Sequence, residues 1–259
     1  MFRIVWLGLL GLALIVPLSD GARAGAWTLE RGTGLAIAEI AGLSADERFD
    51  AERAPVAEPD FAKLDGRVLV EYGLTDAVTL RMRGAYENGR QDGFDPSAWR
   101  GIALAEVGAR LRVLDRGRFV GSIEGALRLA EPASGRPAAE FEARLLGGVS
   151  FELLHRSAFV DVQLGYRFRP QARTDEALLA LTAGIRPFER TLLLVQSFST
   201  VATTLSDAGL PLHDRHVIQG SVVFDVSRRW SLQLGGGRTV AGSSTLRERS
   251  AFASLWLRF

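Results

Sequence analysis

The chain has 259 residues, 31 basic against 30 acidic side chains, three histidines and no cysteine. Lack of cysteine excludes disulfides, thiolate metal sites and cysteine nucleophiles together. The near balance of charge gives no electrostatic ground for a nucleic-acid partner.

The first segment reads MFRIVWLGLLGLALIVPLSDGARA. Arg3 precedes an apolar run from Ile4 to Leu18, and Ala22-Arg23-Ala24 has the small-x-small pattern of a signal-peptidase site. The run is short of the ~20 residues that a spanning helix needs. The expectation is a signal peptide over residues 1–24, an exported chain and a mature start at Gly25. Its removal takes away Arg3, Asp20 and Arg23, which leaves 29 basic and 29 acidic residues. Lys63 is the only lysine. No later stretch approaches a spanning helix, so a membrane role would have to be built from strands, within one domain over residues 25–259.

Strands are expected in chain order from period-two alternation. A first strand falls near Gly32–Ala41, with its faces unassigned. From Leu64 to Tyr72, Leu64, Val68, Val70 and Tyr72 oppose Lys63, Asp65, Arg67 and Glu71. Val78, Leu80, Met82 and Tyr86 oppose Thr79, Arg81, Arg83 and Glu87. Ala103–Val113 sets Val107, Ala109 and Leu111 against Glu106, Arg110 and Arg112. Phe119–Leu129 sets Ile123 and Leu127 against Glu124 and Arg128. Phe141–Phe151 opposes Ala143, Leu145 and Val149 to Glu142, Arg144 and Ser150, and Ala158–Phe168 opposes Val160, Val162, Leu164 and Tyr166 to Asp161, Gln163 and Arg167. Further strands fall near Ala177–Arg186, Thr191–Ser199 (faces again unassigned), His216–Val226, Trp230–Arg238 and Ser250–Phe259. The total is twelve.

Short connections at Gly73–Ala77, Leu114–Arg118, Glu152–Ser157, Pro187–Arg190 and Ser227–Arg229 alternate with longer polar ones. The long ones are Gly42–Phe61, Asn88–Arg100, Ala130–Ala139, Thr200–His213 and Thr239–Arg249, and the link near Pro170–Thr174 is brief. Short turns on one rim and long loops on the other fit an all-β, transmembrane, antiparallel up-and-down barrel in a Gram-negative outer membrane. A soluble barrel or sandwich shows the same alternation with the apolar face turned inward. Strand length, the export signal and aromatics at strand ends (Tyr72, Tyr86, Phe119, Phe141, Phe151, Phe168, Trp230, Phe259) favour the membrane form.

The terminal FASLWLRF resembles the last strand of bacterial outer-membrane proteins. In those proteins a terminal aromatic with apolar residues at alternate positions is read by the barrel-assembly machinery. The resemblance implies that role for Phe259, Leu257 and Leu255, with outer-membrane lipid and that machinery as partners. In addition, GAWTLERGTG and EYGLTDAVTLRMRGAYE resemble a largely uncharacterised family of Gram-negative outer-membrane barrels, some named for association with meta-pathway phenol degradation.

If the apolar face meets lipid, the other face lines a lumen richer in basic than acidic groups. Arg81, Arg83, Arg110, Arg112, Arg128 and Arg144 are its expected charges, with Glu106, Glu124 and Glu142 as partners. Unpaired guanidinium groups would make a passive channel for small polar or anionic solutes. Glu–Arg pairing across the lumen would instead make a plugged, structural barrel, because a buried charge is costly unless satisfied. An acyl hydrolase is the third class. His155-Arg156-Ser157, or His213 and His216 with Ser197, Ser199 or Ser221, supply residue types but no fixed nucleophile, base and orienting acid. No enzyme, catalytic residue or cofactor is therefore expected. His213, Asp214 and His216 lack a fourth ligand for a metal, and Gly235-Gly236-Gly237 is read as relief of crowding in a strand, not as a phosphate loop.

Overall fold

A computed structural model describes residues 25–93, 97–130, 138–170, 174–203 and 212–259. The expected signal peptide and the centres of four connections lie outside the described residues. Twelve long strands and one two-residue strand form a single antiparallel sheet, with no helix among the described residues. In order they are β1 Gly34–Phe49, β2 Pro55–Thr75, β3 Val78–Gln91, β4 Ser97–Arg116, β5 Phe119–Ala130, β6 Ala138–Leu153 and β7 Arg156–Phe168. There follow β8 Glu176–Phe188, β9 Thr191–Ala202, β10 Asp214–Asp225, β11 Trp230–Ser243, β12 Thr245–Leu246 and β13 Arg249–Arg258.

Every long strand pairs with its chain neighbour, and β13 pairs with β1 from Leu35↔Arg258 to Ser44↔Arg249, which closes the barrel. Closure leaves no open edge for another chain to pair with. The last residue completes the seam. The amide of Gly34 donates to the Phe259 carbonyl at 2.6 Å and the Phe259 amide donates back to Gly34 at 3.0 Å.

The two faces separate by chemistry. Outward are Val68, Met82, Val107, Leu127, Leu145, Leu164, Val195 and Leu234, all exposed. Tyr72, Phe119, Trp230 and Phe259 are exposed near the short-turn rim, and Tyr86, Phe141 and Phe168 toward the other end. Inward are Glu106, Arg110, Glu124, Glu142, Asp161, Ser231 and Gln233, all buried. This arrangement inverts a soluble barrel, whose apolar residues face its own interior. A continuous apolar outer band between aromatic belts is a surface suited to lipid.

The long-loop side departs from expectation. Gly42–Phe61, read as a polar loop, is mostly strand: β1 and β2 stay in register up to Phe49↔Pro55 and leave only Asp50–Ala54 as turn. The inward series Ala41, Ala45, Phe49 and Phe61 is buried, so an apolar face persists there among polar neighbours. Likewise β3 runs to Gln91, β4 starts at Ser97 and β11 extends to Ser243. On the short-turn rim, Leu154 and His155 both have positive φ (52° and 60°), the backbone of a tight two-residue hairpin turn.

Candidate functional site

Register across β2–β8 places acids beside bases on the lumenal face. One row reads Arg83↔Glu106↔Arg128↔Glu140, the next Arg110↔Glu124↔Arg144, and a third Glu142↔Arg167↔Glu176. The ion pairs resolve these rows into two groups. Near the short-turn rim, Glu71 and Glu124 each bind both Arg81 and Arg110. Arg81 Nε lies 2.8 Å from Glu71, Arg110 Nη2 lies 3.2 Å from Glu71 and 3.0 Å from Glu124, and Arg81 also pairs with Glu124. Two guanidiniums and two carboxylates make a neutral quartet.

The second group sits higher. Arg128 reaches Glu106 at 2.9 Å and both Glu140 and Glu142 at 3.2 Å. Arg144 binds Glu142 at 2.6 Å, and Arg167 binds Glu142 at 2.8 Å. Arg167 and Arg169 both pair with Glu176, and Arg169 with Glu140 at 3.0 Å. Arg83 joins at the margin, 3.6 Å from Glu106, with its side chain 39% exposed. Among the described residues this group holds five arginines against four glutamates. Arg112 stands apart from both groups. It lies toward the short-turn rim beside a bulge, paired at 3.1 Å with the exposed Asp115. Its register partner Ser122 is already bonded to Ala26.

The rest of the lumenal wall is different. Leu192 and Leu194 of β9, Val223 of β10, Trp256 of β13 and Phe159 of β7 form a buried cluster, with Leu35 and Ile37 of β1 packed on it. Phe252 turns inward over Gly235, where a β-carbon would fall 2.4 Å from its ring, so the glycine does relieve crowding.

Sequence reasoning missed the element that joins the two walls. Residues 25–29 run inside the short-turn end of the barrel, held from one strand after another, and residues 30–33 are exposed at the rim. Thr79 Oγ1 accepts from the Leu29 amide at 2.8 Å, and Arg110 Nη1 donates to the Trp27 carbonyl at 3.0 Å. Ser122 Oγ donates to the Ala26 carbonyl at 2.5 Å, and Asp161 accepts from the Ala26 amide at 2.6 Å. The Trp27 ring meets Phe159 edge-on at 5.9 Å and packs on the apolar cluster. Gly148 makes room for it, since a β-carbon there would fall 2.6 Å from the indole. The available signal was a tryptophan directly ahead of the first strand.

The histidines do not assemble a catalytic or metal site. His155 sits in the tight turn, His213 Nε2 lies 3.3 Å from Glu176, and Asp214 pairs with Arg53. His216 Nδ1 lies 2.8 Å from Ser199 Oγ, with no carboxylate among the described hydrogen bonds of His216 to orient it. Among the described residues no group of three or more acids or histidines is placed to hold a metal ion.

No protein-family model and no curated protein sequence matches the chain. By fold it is similar to a crystallised outer membrane channel from Pseudomonas putida F1, at 13% identity and a TM-score of 0.68, over 90% of this chain and 98% of that one. It is also similar to the translocator domain of the autotransporter NalP from Neisseria meningitidis, at 12% identity, a TM-score of 0.54, and 93% and 91% coverage. A third likeness is to the KdgM porin in complex with disordered oligogalacturonate, at 11% identity, a TM-score of 0.53, and 86% and 99% coverage. These likenesses establish the fold, that of outer-membrane β-barrels.

Proposed function

We propose that the chain is a passive outer-membrane channel for small polar or anionic solutes, with its short-turn rim in the periplasm and residues 25–29 narrowing that end. The observation that carries this reading is the surplus of the upper group, five guanidiniums against four carboxylates, with Arg83 the least engaged. Positive charge on a low-dielectric wall concentrates anions, and a guanidinium fork matches carboxylate and phosphate oxygens. The KdgM porin, a fold neighbour, is described with an oligogalacturonate. In this reading Phe259, Leu257 and Leu255 present the strand end read during assembly.

A structural barrel plugged by its Glu–Arg network is the second reading, favoured by the pairing of Arg81, Arg110, Arg128 and Arg144 with glutamates and by Trp27 packed on the apolar cluster at one rim. Planar-bilayer conductance with reversal potentials under a salt gradient separates the two, using wild type and Trp27→Ala. The channel reading expects small anion-selective steps from wild type and severalfold larger steps, still anion-selective, from the variant. If folded protein of both forms inserts and stays silent, the plugged barrel is correct.

A further inference from the structure

Every strongly buried carboxylate of the lumenal network has a basic partner, with one exception. Asp65, Glu71, Glu106, Glu124, Glu140, Glu142 and Glu176 all face arginine or lysine within ion-pair range. Asp161 has no exposed surface, and its described donors are neutral: the Ala26 amide at 2.6 Å and Gln163 Nε2 at 2.8 Å. A buried carboxylate served only by neutral donors is costly, so this position calls for a cation.

The chain itself can supply one. Gly25 adopts φ +78°, and a β-carbon on it would lie 2.1 Å from Asp161 Oδ1, so its backbone is pressed against the carboxylate and no side chain fits. Its nitrogen is one bond of about 1.46 Å from the same α-carbon, which bounds it within about 4.5 Å of that oxygen. In the unprocessed chain this nitrogen is a neutral amide. Cleavage after Ala24 makes it an α-ammonium.

We infer that Asp161 is the receptor for the α-ammonium of the processed N-terminus, so that removal of residues 1–24 locks the lumenal segment in its seat. The inference rests on cleavage after Ala24 and is independent of which solute passes. The ion pair forms deep in the barrel, where a charge-assisted hydrogen bond is stronger than a neutral one. It anchors the end of a segment that is otherwise held by the neutral groups Thr79 and Ser122 and by the charged groups Arg110 and Asp76. The ion pair then depends on processing, and the unprocessed chain lacks the charge that completes the site.

The composition makes the test clean, because the mature chain has only two kinds of amine, the α-amine and Lys63. Mature protein is isolated from outer membranes, and its intact mass gives the N-terminus. Lys63→Arg leaves the α-amine as the sole amine, glycine is labelled with 13C at its α-carbon, the protein is refolded in detergent, and the Gly25 resonance is titrated by NMR as the reporter of that amine. An ordinary α-amine titrates at about 7.7–8.0. The lock expects it to bind its proton at least tenfold more tightly in the folded barrel, and to revert in unfolded protein and in Asp161→Asn. If Asp161→Asn does not refold, one glycine inserted before Gly25 provides the second variant, again with an ordinary α-amine expected. An ordinary value in folded wild type whose mass begins at Gly25 overturns the lock. A mass that begins elsewhere overturns it through the cleavage step instead and leaves the channel reading intact.

Discussion

The two halves of the lumenal wall reach the same end by opposite chemistry. On β2–β7 the inward face is largely charged, and its rows alternate sign across strands. On β9, β10, β13 and β1, near the short-turn rim, it carries leucine, valine, isoleucine and tryptophan. The charged wall satisfies itself by pairing and leaves Arg83 with a single ion pair of 3.6 Å, whereas the apolar wall needs a lid. Trp27 is that lid, because its indole packs on the apolar cluster while its carbonyl accepts from Arg110. A lumen with two charged walls could stay hydrated throughout. One with a single apolar wall recruits a segment that covers it.

The sharpest way to break this contrast is to put charge on the apolar wall. Val223 has no exposed surface and lies within the cluster. Val223→Asp buries a carboxylate with no basic partner in the cluster around it, which is a far larger cost than loss of a methyl group. No folded barrel is expected, read as complete loss of the heat-modifiable band on a cold detergent gel. Recovery of wild-type folded yield would show that this wall is wet. The next largest effect is in the neutral quartet. Glu124→Gln leaves Arg110 and Arg81 to share Glu71, and breaking a buried pair in this way costs about 3–5 kcal/mol. A drop of that size in the urea-unfolding free energy is expected, and a change below about 1 kcal/mol would mean that water already screens the quartet.

The same contrast explains what could be read from the residues alone. On β2–β7 each strand sets charged residues on one face against an apolar other face, so alternation defines strand and face and marks candidate partners of opposite sign. Thr191–Val195 reads Thr-Leu-Leu-Leu-Val because Leu193 and Val195 are turned outward while Leu192 and Leu194 pack inside, and period two vanishes when both faces are apolar. Gly34–Ala41 hides its faces for the same reason, with Leu35 and Ile37 inside and Ile40 outside. Strand length at the long-loop rim was underestimated, because beyond the lipid both faces of a hairpin can be polar and only the register with the neighbour holds it. Residues 26–29 carry no periodic signal, since their backbone hydrogen bonds go to side chains on β3, β4, β5 and β7, far away in sequence.

The smallest effect on stability is expected at the margin of the charged wall, and it bears most directly on function. Arg83 makes one ion pair of 3.6 Å with its side chain partly exposed, so Arg83→Ala forfeits under about 1 kcal/mol. The same change removes the surplus charge of the upper group, which then holds four arginines against four glutamates. The anion preference read from the reversal potential should fall severalfold while single-channel conductance changes little. Arg112→Ala removes an identical formal charge near the rim, where Arg112 is already neutralised by Asp115, and should leave selectivity unchanged. If the two substitutions lower anion preference equally, net lumenal charge sets selectivity and the placement of Arg83 is irrelevant. If only Arg83→Ala does so, selectivity is local to the one guanidinium that the charged wall leaves underused.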